Sequence, residues 1–173
     1  FPQAIISVDT FNSVVAEKAL EIGANWINDI SGGKNDKNMY KVIANSNCPY
    51  VLNHTRGDSK TMNSLAIYND VVEDVYQELS TLTENALTAG VNASQIIWDP
   101  GLGFAKNNND NIKLVKDIQK FTSNCFPVLL GPSRKKFIGY VLNEDDPNKR
   151  VFGTAAVVCK CVQAKVDVVR VHD

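Results

Sequence analysis

The sequence predicts an α/β fold, a (β/α)8 TIM barrel present here in incomplete form as about strands 3 to 8. Three observations lead there. Short apolar runs rich in β-branched residues recur along the chain, each followed by a polar turn and a segment with helical spacing. The runs are apolar nearly throughout, as in a parallel sheet with helices on its outer faces. Nearly every run also ends in a polar group: Asp9, Asn28 with Asp29, Asn53 with His54, Asp99, the Ser133 loop, and Arg170 with His172. An open doubly wound sheet, the alternative, concentrates its ligand groups at one switch point, whereas a barrel collects them from many strands at its C-terminal mouth. Six strands contribute here, which favours the barrel.

Taken in order, strands are expected at residues 4–9, 25–29, 49–53, 95–99, 127–131 and 167–172. Between the first two lies a helix carrying Val15, Ala19 and Leu20, stopped by Gly23, which can turn left-handed without a Cβ penalty. The clearest helix spans 67–89, where Ile67, Val71, Val75, Leu79, Leu82 and Ala86 form one apolar stripe and Gly90 supplies the stop. A full barrel needs eight strands and roughly 250 residues, so this chain is expected to lack about two βα units. Phe1-Pro2-Gln3 reads as the middle of a longer polypeptide, which places the missing units upstream. Residues 1–173 then form one barrel domain. Open barrel edges would expose apolar strands, so the isolated chain is expected to aggregate or to need those units.

Composition narrows the function. With 44% hydrophobic and 21% charged residues the chain has the make-up of an ordered domain. Eighteen basic residues stand against 19 acidic ones, so no overall field draws it to nucleic acid or to a membrane surface. No run reaches the length of a membrane span. Cys48, Cys125, Cys159 and Cys161 sit in or beside apolar runs and are expected to be buried, inert thiols of a reducing, intracellular compartment. Cys159 and Cys161 make a poor metal pair, because only His54 and His172 could complete a site.

The strand ends carry the chemistry. Asp99 precedes Pro100-Gly101-Leu102-Gly103-Phe104, where glycines such as Gly103 let the backbone approach a ligand; the competing reading is a carboxylate that caps its own turn. Thr10 or Asn12 can cap the helix after the first strand, which leaves Asp9 available. Carboxylates and amides gathered at one mouth suit a ligand edge with paired N–H donors, the edge that pterins have. Ser133-Arg134-Lys135-Lys136 puts three cations at a helix start, a place that disfavours cations unless they serve an anion or a π-face. Arg170 and His172, two apart on a strand, share one face and suit a phosphate or pyrophosphate. His54 also fits a purely structural, hydrogen-bonded role.

Taken together, ISVDT (6–10), INDISGG (27–33), HTRGD (54–58), DPGLGFAK (99–106), LLGPSRKKFIG (129–139) and VRVHD (169–173) resemble dihydropteroate synthase in order and spacing along the whole chain. The resemblance implies a homodimeric enzyme of folate biosynthesis. It would condense 6-hydroxymethyl-7,8-dihydropterin pyrophosphate with p-aminobenzoate to give 7,8-dihydropteroate and pyrophosphate, the step blocked by sulfonamides. The SRKKFIG loop resembles the eukaryotic members, which are fused to a hydroxymethyldihydropterin pyrophosphokinase and are cytoplasmic or mitochondrial. It further implies that Asp9, Asn28, Asp99 and Lys135 line the pterin pocket, with Asp99 on the amino-pyrimidine edge. Phe104 would wall that pocket, with Gly103 beside it. Ser133, Arg134 and Lys135 would flank the p-aminobenzoate entrance, and Arg170 and His172 would hold the pyrophosphate.

Lys135, Arg170 and His172 are the groups implied to take part in the chemistry, which is ionisation at the pterin methylene as pyrophosphate departs with Mg²⁺. The ligands of that ion are expected in the missing N-terminal part, so this chain alone is expected not to catalyse. Asn53 stands where the family often has methionine. Two rivals remain open: a pterin-binding barrel of the methyltransferase type, which has no pyrophosphate to hold, and a pterin-binding module without catalysis.

Overall fold

The structure, a computed structural model, describes residues 3–172; Phe1, Pro2 and the Asp173 that closes the VRVHD motif lie outside the described residues. All six expected strands are present within their predicted runs, but the last is only two residues long, so Arg170 and His172, expected on it, follow its end. They are β1 (Ser7–Asp9), β2 (Trp26–Asp29), β3 (Tyr50–Asn53), β4 (Ile96–Asp99), β5 (Leu129–Leu130) and β6 (Val168–Val169). The helices are α1 (Ser13–Glu21), α2 (Met39–Ser46), α3 (Val71–Thr88), α4 (Asn108–Lys116), α5 (Gln119–Thr122), α6 (Lys136–Leu142) and α7 (Val151–Gln163).

Strands β1 to β4 form one parallel sheet in sequence order, and β5 and β6 pair as a second. A parallel bridge between Trp98 and Val128 links β4 to β5, so the six strands trace one curved arc. The outer strands are the less buried ones. β1 reads exposed, intermediate, exposed, whereas β3 and β4 are buried throughout, because β1 and β6 each have a neighbour on one side only. Residues 4–6 therefore stay irregular, although Ile6 O still accepts from Asn25 N at 2.8 Å and Trp26 N at 3.0 Å.

Alternation along the strands sorts residues into two layers. Tyr50, Leu52, Ile96, Trp98 and Leu130 point outward into the main core under the helices. Val51, Ile97 and Leu129 point inward and cluster on their own, with Trp26 and Val168 packed against them. That small cluster is a layer of barrel interior. Two residues further along the strands, the inward parity reaches Asp9, Asn28, Asn53 and Asp99, in a register that sets Asp9 opposite Asn28 and Asn53 opposite Asp99. The outer core is tightly specified: the Trp98 indole donates to Thr83 Oγ1 at 2.8 Å, stacks on Phe126 at 5.4 Å and meets the Tyr76 ring edge-on at 5.3 Å.

Three expectations need correction. Helix α3 begins at Val71, not at residue 67, because the Asp70 carboxylate accepts from Val72 N and Glu73 N and so caps the helix there; Ile67 is left 77% exposed in the preceding loop. In α1 the buried residues are Ser13 and Ala16, with Leu20 packed beside them on the same face, and Val15 points out. Cys125 and Cys159 are exposed, the first in the loop before β5 and the second on the face of α7 opposite the buried Cys161. Gly90 and Gly23 end their helices as expected, at φ of 96° and 104°.

Candidate active site

The C-terminal ends of the strands enclose a cavity of about 250 Å³ lined by Asn28, Asp99, Phe104, Ser133, Lys135, Arg170 and His172 among others. Seven of the ten residues singled out from the sequence thus meet in one place. Asp9 stands behind the lining. Its Oδ1 accepts from Asn28 Nδ2 at 2.8 Å and its Oδ2 pairs with Arg170 at 2.5 Å, which ties the ends of β1 and β6 together across the mouth. Gly103 and Arg134 line a neighbouring cavity of about 490 Å³, which shares Lys135 with the first.

The lining of the first cavity is chemically mixed. Asn28 Oδ1 is a buried acceptor with no partner, while Nδ2 of the same amide donates to Asp9. Such an atom costs free energy unless a ligand supplies the missing N–H. Beside it Asp99 Oδ1 accepts from Gly101 N at 2.8 Å. Burial pushes the Asp99 carboxyl up to about 6, against the downward pull of that hydrogen bond and of Lys135, Lys106 and Arg170. Asp99 is accordingly ionised at neutral pH and able to accept. The same lining carries Arg170, joined to Asn28 through the Asp9 carboxylate, and His172, whose Nδ1 lies 2.8 Å from Ser133 Oγ. Lys135 roofs the cavity with Nζ 4.8 Å from the centre of the Phe104 ring, and burial lowers its pKa against the pull of Asp99.

The backbone explains how short motifs reach this geometry. Gly101 sits at φ 73°, and a Cβ there would lie 2.0 Å from His54 O, so only glycine lets the turn close on β3. Arg134 adopts φ 57° just before the N-cap residue Lys135 and reaches Asn148 Oδ1 at 2.8 Å. Arg150 fixes that loop from beneath, donating to Glu144 O, Arg134 O and Asp145 O at 3.0, 3.0 and 2.7 Å. The three cations of the SRKK run therefore diverge: Lys135 serves both cavities, while Arg134 and Lys136 face only the second.

Comparison with known proteins agrees with this geometry. A family model described as "Pterin binding enzyme" matches residues 1–172. The chain belongs to the pterin-binding enzyme family. A dihydropteroate synthase of Synechocystis is 42% identical over 168 residues, covering 97% of this chain and 58% of that protein. The folic acid synthesis protein of Pneumocystis carinii is 41% identical over 178 residues, covering 100% of this chain and 24% of its own length. Among solved structures, the Thermus thermophilus dihydropteroate synthase in complex with 4-aminobenzoate superposes with a TM-score of 0.92 at 37% identity, covering 98% of this chain and 65% of that one. This family member thus spans a quarter to two thirds of the relatives it resembles, and the fold it shares with them is the TIM barrel.

Two of the polar strand ends do not belong to the site. Asp29 follows Asn28 and has the opposite parity, so its fully buried carboxylate faces the outer core, where it accepts from Ser31 N, Ser31 Oγ, Gly33 N and Tyr50 Oη at 2.7 to 2.8 Å. His54 is buried between Glu78 and Lys106, the structural alternative anticipated for it. Asn53 lines the cavity and donates to Ile30 O at 3.0 Å, a polar wall where methionine was the alternative. Sequence reasoning missed Lys106 and Arg150, both buried cations held largely by carbonyls of their own loops, Gly101 O and Phe104 O for Lys106 and Glu144 O and Asp145 O for Arg150, with His54 Nδ1 and Arg134 O added from further along the chain.

Proposed function

We propose that the protein carrying this chain is a dihydropteroate synthase of folate biosynthesis, condensing 6-hydroxymethyl-7,8-dihydropterin pyrophosphate with p-aminobenzoate. The observation that carries this reading is one cavity whose lining combines the orphan acceptor Asn28 Oδ1 and the Asp99 carboxylate with the cation Arg170 and with His172. Ionised Asp99 accepts the paired N–H groups of the amino-pyrimidine edge, and Asn28 accepts one more. The stem of Lys135 and the Phe104 ring cover the flat face of the heterocycle. Arg170 leaves Asp9 for the pyrophosphate, stabilising the charge that develops as the methylene C–O bond breaks, and His172 donates to the same anion. The amine of p-aminobenzoate then captures the methylene carbon from the second cavity, entered past Ser133, Arg134 and Lys135.

Mg²⁺ belongs to the same reading, yet among the described residues no group of three or more His, Cys, Asp or Glu could hold a metal ion. The residues present do not make a cage for it, and no step above runs through it. Its protein ligands are proposed to lie in two further βα units ahead of this chain, so that residues 1–173 are about strands 3 to 8 of one barrel. Apolar side chains at both edges of the arc support this: Ile5, Ile6, Val14 and Ile22 beside β1, Val162 and Val171 beside β6. A homodimer is proposed through α6 and α7, whose outer faces expose Tyr140, Val141, Leu142 and Phe152. Fusion to a hydroxymethyldihydropterin pyrophosphokinase accords with the much longer Pneumocystis relative. A reducing intracellular site, cytoplasmic or mitochondrial, accords with four free thiols; no described helix is long and apolar enough to cross a membrane.

The test is incorporation of labelled p-aminobenzoate into dihydropteroate by the complete barrel, beside an Arg170→Ala variant. Product from the wild type with a large loss in the variant is expected. A folded wild type that binds pterin but forms no product would make the protein a pterin-binding module instead.

A further inference from the structure

The turn that presents Asp99 and Phe104 is tied by a buried cation that lies outside the first cavity and borders the second. Lys106 is 8% exposed, and its Nζ lies 3.0 Å from Gly101 O, 2.9 Å from Phe104 O and 2.9 Å from His54 Nδ1. An ammonium has three N–H donors, and these partners take all three. With Nδ1 accepting, His54 is the neutral tautomer that carries its proton on Nε2 and donates to Glu78 Oε2 at 2.9 Å. Burial first, and the Lys106 charge second, hold the His54 pKa down to about 3. Glu78 comes down to about 2 against the opposing effect of its burial, through donors from His54 and Arg56.

The turn needs such a tie. Gly101, Gly103 and Ala105 all lie at positive φ, a run of conformations that persists only where the surroundings over-determine it. The linkage to the site is direct: Lys106 fixes Gly101 O, and Gly101 N fixes Asp99 Oδ1.

We propose that Lys106 is a positioning residue of this site: as an ammonium it sets the 99–104 turn so that the Asp99 carboxylate and the Phe104 ring meet the ligand, and Glu78, acting through His54, keeps its third N–H engaged. This rests on the pterin reading of the cavity. The charged groups around Lys106 are Asp99 and Glu78, which favour the ammonium, and Arg56 and Lys34, which oppose it; burial outweighs them and lowers its pKa to about 7. Deprotonation leaves two N–H donors for three acceptors, so one of Gly101 O, Phe104 O and His54 Nδ1 loses its donor and faces the amine lone pair. Flipping the imidazole tautomer relieves that contact only by turning a bare Nε2 toward the Glu78 carboxylate. The tie is therefore tight below neutral pH and loosens above it.

The experiment measures, on the complete barrel, the Kd of an unreactive pterin and the KM of the pterin pyrophosphate from about pH 6 to 9, for the wild type, Glu78→Gln and Lys106→Arg. Wild-type affinity is expected to weaken on the alkaline side. In Glu78→Gln that inflection moves to lower pH, because Glu78 favours the ammonium, and KM rises about tenfold, the size of one lost charge-assisted hydrogen bond. In Lys106→Arg the alkaline inflection of Lys106 disappears. Lys135, whose charged neighbours are Asp99 and Arg170, would not respond to Glu78. An unchanged inflection in Glu78→Gln overturns the proposal. A wild-type measurement guards against misfolded variants: ¹⁵N shifts should report His54 neutral with hydrogen on Nε2 at pH 6, and hydrogen on Nδ1 or a charged ring overturns the proposal as well. A wild type that binds pterin without turnover rejects the synthase reading alone, since the Kd series still decides this one; a wild type that binds no pterin rejects both.

Discussion

Asp99→Asn should stabilise the fold while abolishing its function, and by an amount that depends on pH. The folded carboxyl titrates at about 6 against an ordinary value of 3.8, because burial disfavours its charge more than Gly101 N and the nearby cations favour it. Between these two values the folded state binds more protons than the unfolded one, so stability falls as pH rises through that window. A gap of roughly two pH units corresponds to about 3 kcal/mol of destabilisation, fully present above pH ~6 and absent below pH ~4. Asparagine preserves the acceptor for Gly101 N and carries no charge. The variant should therefore match the wild type in acid and exceed it near pH 8 by up to ~3 kcal/mol, or roughly 6–12 °C in Tm for a barrel of this class. Pterin affinity should drop at least ~100-fold, because a neutral amide cannot accept both N–H groups of the pyrimidine edge. Thermal and denaturant unfolding of both proteins at a series of pH values, with pterin titrations alongside, would check it. A stability difference independent of pH, or an asparagine variant weaker at pH 8, would refute the assignment of Asp99 as a charge held against its burial.

Other outcomes follow from single contacts. Tyr50→Phe removes the phenol that donates to Asp29 Oδ2 and should cost about 1.5–3 kcal/mol in denaturant unfolding while leaving pterin Kd within about twofold, since Asp29 faces away from the cavity. Gly101→Ala meets His54 O at 2.0 Å in a left-handed turn; pterin titration should show affinity falling by more than about a hundredfold, a loss that retained binding would disprove. Arg150→Ala strands three carbonyls and should cost roughly 3 kcal/mol or more, with protease cleavage appearing in the 143–146 loop.

The parts of the fold that sequence revealed are those written locally. Apolar runs located all six strands, Gly23 and Gly90 marked helix ends, and the polar residue closing each run located the mouth. Two errors came from local signals left unused. Asp70 followed by Glu73 has the spacing of a helix start and would have excluded Ile67. Strict alternation along β2 would have separated Asn28 from Asp29, which point to opposite layers. Lys106 and Arg150 are a different case. In sequence each is one lysine or arginine in a polar stretch, and what makes them interior is the curling of their own loops, which turns Gly101 O and Phe104 O onto Lys106 and Glu144 O and Asp145 O onto Arg150. Cys159 illustrates the reverse, an apolar neighbourhood in sequence that a helix divides between an inner and an outer face.

Because each strand pairs with the one that follows it, the arc can grow in the direction of synthesis, every βα unit docking on a surface already made. The polar groups of the cavity then mature at different times. Asp9, Asn28 and Asp99 are in place once the fourth strand has docked, whereas Arg170 and His172 follow the sixth. A nascent chain passes through a stage in which the acceptors Asn28 and Asp99 are gathered without Arg170 and His172, and the cavity is complete only as the last strand joins.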